Sequence, residues 1–213
     1  MQCDGVGDQD PDAGQCRGTL GDDDITGTAQ KDSIVALRGF DDVLAGEGED
    51  EISGGILDDN LQGEEGNDTY WGGNGADELS EYGNFSGELS GNDQMNGGYG
   101  PDFLEGNEGA DVLRGEEGDD PDMYGDEGND KMFGGPDEDY MEGEQGADEL
   151  YGGPDDDWID AADEETADTP DTVNGGLGFD VCIVNQNDRV FNCEAISPYP
   201  NPTPAAAARA TED

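Results

Sequence analysis

The sequence predicts an all-β fold, a parallel β-solenoid of nine-residue units, on three observations. The first is register: from Gly18 the chain divides without a gap into units that begin at residues 18, 27, 36, 45, 54, 63 and 72. The second is what those units share. Their sixth position is Asp23, Asp32, Asp41, Asp50, Asp59, Asp68 and Asp77, and their eighth is Ile25, Ile34, Val43, Ile52, Leu61, Tyr70 and Leu79. The third is composition. The 213 residues include 57 acidic and 7 basic side chains, a formal charge of −50, with 31% apolar residues and 37 glycines. So little apolar surface does not offset the cost of ordering an ordinary globular chain, about 1–2 kcal/mol per residue. A solenoid needs only a narrow apolar column on each face, provided that something external neutralises the charge.

Residues 1–17 read as an N-terminal loop or cap, with Cys3 and Cys16 thirteen positions apart. A Cys3–Cys16 bridge is the expected arrangement and is worth about 3 kcal/mol, although four cysteines permit three connectivities. The units then begin, most plainly in GGILDDNLQ-GEEGNDTYW-GGNGADELS over residues 54–80. Glycines at positions one, two and four admit backbone conformations closed to other residues. The triplet around position eight makes a short strand whose middle side chain faces inward. Gln30 and Leu57 depart from the position-four glycine.

The seven residues EYGNFSG, 81–87, interrupt the register, and units resume at 88, 97, 106 and 115 with Asp93, Asp102, Asp111 and Asp120. The unit at 115 is one residue longer, which places Met123 rather than Asp122 in the apolar slot. Units at 125, 134, 143 and 152 bring Asp130, Asp139, Asp148 and Asp157; Asp137 and Asp155 take position four, where aspartate tolerates positive φ. After the insertion AADEE at 161–165, units at 166 and 175 add Asp171 and Asp180, so all seventeen units have aspartate in sixth place. The solenoid is expected over 18–183. Residues 181–196 lose the glycines and read as two short strands around NQND, a hairpin cap (184–196 beyond the last unit) bridged by Cys182 and Cys193. The tail, 197–213, is rich in proline and alanine and is expected to be extended.

The repeat G-G-x-G-x-D-x-U-x is a calcium-binding solenoid motif. Calcium takes six to eight oxygens from carboxylates and carbonyls, so the seventeen aspartates are the candidate metal ligands and several calcium ions the expected cofactor. The charge argues against nucleic-acid and anionic-membrane partners, which need Lys and Arg at phosphate. No apolar run approaches the roughly 20 residues of a membrane span, and the first residues show no signal-peptide pattern. There is no histidine, no G-x-S-x-G elbow and no phosphate loop, so no enzymatic activity is expected. Four cysteines suit an oxidising compartment. Trp71, Phe133 and Tyr151, at position nine, are expected to point outward.

Over residues 18–183 these repeats resemble the RTX, or haemolysin-type, calcium-binding repeat family of secreted bacterial proteins. The resemblance implies a right-handed parallel β-roll with two units per turn. It implies that Asp23 and Asp41 share an ion on one edge, and Asp32 and Asp50 another on the opposite edge, with carbonyls of the first four positions completing each shell. About 11–15 ions are expected at saturation, with the positions near Gln30, Leu57, Thr169 and the two insertions least certain to form sites. The expected location is extracellular or on a bacterial cell surface. The expected role is a structural rod (a surface-layer, matrix or filament subunit) that folds on calcium and self-associates end to end. The alternatives are a calcium-triggered folding and secretion module, or an adhesion module that binds surface glycans or proteins.

Overall fold

The computed structural model describes residues 15–80, 90–162 and 169–198. Among these residues every regular element is a β-strand and none is a helix. Two ten-stranded parallel sheets face each other, and the chain alternates between them to make a solenoid of about nine turns. Strands such as Ser33–Val35, Glu51–Ile56 and Thr69–Asn74 build the first sheet; Asp24–Thr26, Asp42–Leu44 and Asn60–Gln62 build the second. The strands are short because a glycine-rich turn follows every apolar position.

Register stacks the eighth positions into two inward columns. In the first sheet Ile34 pairs with Ile52, Ile52 with Tyr70, Tyr70 with Met95 and Met95 with Leu113. In the second, Ile25 pairs with Val43, Val43 with Leu61, Leu61 with Leu79 and Leu79 with Leu104. These side chains are buried almost completely and form one continuous core along the solenoid. Met123 fills its slot opposite Leu104, with Asp122 beside it facing outward. The core is a single side chain deep on each side, so it excludes water from the column but leaves the turns at the two edges held by polar contacts alone.

Both insertions fall at the same corner, after second-sheet strands Glu78–Ser80 and Trp158–Ala161. The stacks continue past them, with Tyr70 beside Met95 and Leu150 beside Val173. The expected C-terminal hairpin is not formed. Val181–Val184 and Ala195–Pro198 pair in parallel within the second sheet, and Arg189–Phe191 pairs in parallel with Thr172–Leu177 in the first. The segment is therefore one more turn of solenoid without glycines, because its apolar Val190 and Ile196 still fall opposite Val173 and Cys182. The Cys182–Cys193 disulfide ties this turn together, with Cα atoms 6.0 Å apart. Cys3, residues 81–87 and 163–165 of the insertions, and residues 199–213 of the tail lie outside the described residues.

The two outer faces differ in chemistry. The first sheet presents Arg17, Arg114, Lys131 and Arg189 together with Glu51 and Glu149, and the second presents only acidic charge, at Asp24, Asp42, Glu78, Glu105, Asp122, Glu142 and Asp160. On the first, Phe133 and Tyr151 stack with centroids 5.2 Å apart, Arg114 covers Phe133 at 5.2 Å and Lys131 covers Tyr151 at 5.3 Å. Trp71 points outward and is 45% exposed, while Phe133 and Tyr151 are half-buried by this stacking.

Candidate metal centre

Each position-six aspartate ends a turn and immediately precedes a strand, and this placement gives its two carboxylate oxygens different surroundings. Oδ1 accepts the backbone N–H of the aspartate one turn earlier. Along the edge that feeds the first sheet, Asp50 accepts from Asp32 at 2.6 Å and Asp68 from Asp50 at 2.7 Å. The series continues through Asp93, Asp111, Asp130, Asp148 and Asp171. Along the opposite edge Asp41 accepts from Asp23 at 2.8 Å and Asp59 from Asp41 at 3.0 Å. It continues through Asp77, Asp102, Asp120, Asp139, Asp157 and Asp180. All seventeen predicted residues thus stand in two ladders, unit paired with next-but-one unit. The steps across 81–87 and 161–165 are made like the others, at 2.5–3.0 Å.

Two ladder members escaped the sequence reading. The N–H of Asp171 donates to Asp188 Oδ1 and that of Asp180 to Glu194 Oε2, each at 3.0 Å. Both precede an x-apolar-x triplet, Arg-Val-Phe and Ala-Ile-Ser, and that was the available signal. They were hidden because the glycines are gone and the spacing has shortened, 17 residues from Asp171 and 14 from Asp180.

Oδ2 faces the other way, into its own turn. At Asp41, Asp50, Asp59, Asp68, Asp77, Asp102, Asp111, Asp120, Asp130, Asp139, Asp157 and Asp180 it is sealed from solvent and accepts no hydrogen bond. The first glycine of the unit marks the hollow it faces. A methyl on Gly72 would lie 2.6 Å from Asp77 Oδ2 and 2.6 Å from the Gly97 carbonyl oxygen. On Gly125 it would lie 2.8 Å from both Asp130 Oδ2 and the Gly143 carbonyl oxygen. A carboxylate of one turn and a carbonyl of the next therefore converge on one small space with no donor between them.

Where position one is glycine it is so for room, not for conformation, since its φ lies outside the left-handed region; Ala36 and Ala45 place a buried methyl there in the units of Asp41 and Asp50. The left-handed residues are at positions two and four. There Leu57 adopts φ 80 and Asp137 φ 87, so neither substitution breaks the turn.

The charges in these hollows are poorly solvated. Burial pushes Asp59 up to about 7, reinforced by the neighbouring Asp77 and Asp41 and opposed by the N–H of Asp41. Burial likewise pushes Asp102, Asp130 and Asp139 to about 8 and Asp68 to about 6. A buried carboxylate without a counter-charge is costly, and this one recurs at every turn.

The arrangement fits a hard cation held by oxygen alone. Among the described residues no three Asp, Glu, His or Cys side chains gather at one point, so a site made wholly of side chains is absent. The donors present are carboxylate oxygens and main-chain carbonyls from successive turns. That mixture suits the large, irregular shell of calcium better than the strict octahedron of magnesium.

Compared with families of known proteins, the chain matches the RTX calcium-binding nonapeptide repeat in four copies, at residues 17–52, 44–79, 89–120 and 124–159. Together these cover more than half of the sequence. A search of curated proteins finds no match to this chain.

Proposed function

The chain belongs to the RTX calcium-binding nonapeptide repeat family, and from that premise we propose an extracellular structural rod that calcium folds and stiffens. The observation that carries the reading is the double row of buried Oδ2 atoms without a hydrogen-bond donor, opposed at Asp77, Asp111, Asp120, Asp130, Asp157 and Asp180 by a carbonyl of the next turn. Calcium bound there would supply the positive charge that the turns lack. The position-six aspartates and the carbonyls of the first positions of each turn would hold it. The folded chain is then favoured wherever calcium is plentiful, as outside a cell, and the Cys182–Cys193 disulfide suits the same oxidising surroundings.

The shape supports a structural role. Ten strands at about 4.8 Å each give a stack of roughly 43 Å in which every turn touches only its neighbours. At the C-terminal end of the stack Ile196, the last member of the second inward column, is 57% exposed, and Phe191, on the last strand of the first sheet, is 54% exposed. An apolar, cut solenoid end offers a contact to the end of another copy, and head-to-tail contacts of that kind propagate into filaments. Two aromatic rings of the first sheet, Phe133 and Tyr151, spend their faces on each other and on Arg114 and Lys131, which leaves them little face for a glycan.

Sedimentation and negative-stain imaging at saturating calcium test the proposal. Long particles are expected from the native sequence, and from Ile196→Asp short ones with unchanged β-structure. A native protein that stays monomeric at all concentrations would refute the filament.

A further inference from the structure

We propose that the aspartate ladders are closed at their first turn, and again at Asp188, by the protein's own hydrogen-bond donors, so that calcium is confined to the glycine-hollowed turns between them. The inference rests on the calcium reading above and says where the ion array stops.

At the first turn the outer carboxylate oxygens are already occupied. Asp23 Oδ2 accepts the N–H of Thr19 at 2.6 Å and its hydroxyl at 3.0 Å. Asp32 Oδ2 accepts the N–H of Thr28 at 2.6 Å and its hydroxyl at 2.8 Å. Two donors fill the two lone pairs of that oxygen, which at Asp59, Asp77 and Asp130 has none.

The cause is the residue at position two. In later units this position is left-handed, as at Leu37 with φ 91 and Gly46 with φ 106. Its N–H then points to the next turn, from Leu37 to the Gly54 carbonyl and from Gly46 to the Gly63 carbonyl. Thr19 and Thr28 are β-branched and stay out of the left-handed region. Their amides turn instead onto their own aspartates, and each hydroxyl is fixed by accepting a further N–H, from Gly21 or Gln30. The hollow itself persists: a methyl on Gly18 would lie 2.9 Å from Asp23 Oδ2 and 2.5 Å from the Ala36 carbonyl oxygen. Hydrogen bonding, not lack of room, is what displaces the ion.

At the far end of the first-sheet ladder Asp188 finishes in the same manner. Asp188 uses Oδ1 for the Asp171 N–H and Oδ2 for the N–H of Asn185, at 2.5 Å. Glu194 takes the Asp180 N–H on a longer side chain. Neither is set in a glycine turn, so neither has a first-position hollow beside it. A solenoid end must be finished against solvent, and here protein donors finish it where an ion would be left with part of its shell open.

The test is calcium stoichiometry at saturation, measured by equilibrium dialysis on the full chain. Asp77→Asn and Asp130→Asn are each expected to lose one ion, and Asp23→Asn and Asp32→Asn none. Thr28→Gly, which keeps the carboxylate and removes the hydroxyl, is expected to gain one. An ion lost from Asp32→Asn, or an unchanged count in Thr28→Gly, would overturn the inference. No loss from Asp77→Asn and Asp130→Asn would instead overturn the calcium reading beneath it.

Discussion

A single aspartate in this protein has two separate duties: Oδ1 fastens the preceding turn by a hydrogen bond, while Oδ2 faces a hollow ringed by oxygen. The second duty makes the calcium-free fold sensitive to pH. Asp59 is pushed to about 7 and Asp102, Asp130 and Asp139 to about 8, all by burial, against about 4 in an unfolded chain. Raised folded values mean that the folded state binds protons more tightly. Its stability is therefore greatest below about pH 4 and declines as pH rises through about 6–8. We expect the calcium-free chain to gain β-structure by circular dichroism at pH 4 and to lose it by pH 8, whereas calcium holds the fold at pH 8. A calcium-free signal that did not change with pH would contradict this. Glycines separate by position in the same way. Gly72→Ala fills the hollow beside Asp77 without forbidding the backbone, so it should weaken one calcium site and leave the rest of the isotherm intact. Gly55→Ala, at φ 124 and against the Leu37 carbonyl, should cost at least about 1 kcal/mol in thermal or denaturant unfolding. The sequence alone read all these glycines as conformational. Only the packed turns reveal that position one is a matter of space.

Among the strands, period two inside a triplet and period nine between triplets made the two columns legible residue by residue, down to Met123 in the slot that a simple count assigns to Asp122. The pairing of each aspartate with the one two units on came from the family resemblance and not from the period itself. The last turn was not legible. Residues 181–196 lack the turn glycines and shorten the spacing, so a period-based reading ends at 183 and supplies a hairpin. Yet Val190 and Ile196 keep the inward positions and the strands keep the parallel register. The shortened turn is braced by the Cys182–Cys193 bridge, across a sequence separation of 11, for which chain entropy gives about 3 kcal/mol. Replacing both cysteines by serine should therefore fray Val181–Val184, Arg189–Phe191 and Ala195–Pro198, seen as faster amide exchange there, and leave Glu51–Ile56 and Thr69–Asn74 protected. Uniform loss of protection along the whole solenoid would contradict a cap that acts locally.

As a whole the molecule sets a formal charge of −50 against a core one side chain deep. The sequence made that imbalance plain, and the ladders show where it concentrates: along two edges, inside turns that shield the carboxylates from water. The remaining charge is sorted between faces: cations share the first sheet with Glu51 and Glu149, while the charged side chains on the strands of the second are all carboxylates. A solenoid of this kind cannot hold its edges together at neutral pH from apolar burial alone, and the central claim is that calcium supplies what is missing. The most direct test is a calcium titration of the purified chain at pH 8, followed by circular dichroism and light scattering and reversed with a chelator. The account predicts a cooperative gain of β-structure as calcium rises, growth of elongated particles, and loss of both when calcium is removed. Full β-structure in chelator at pH 8, or no structural response to calcium at any concentration, would contradict it.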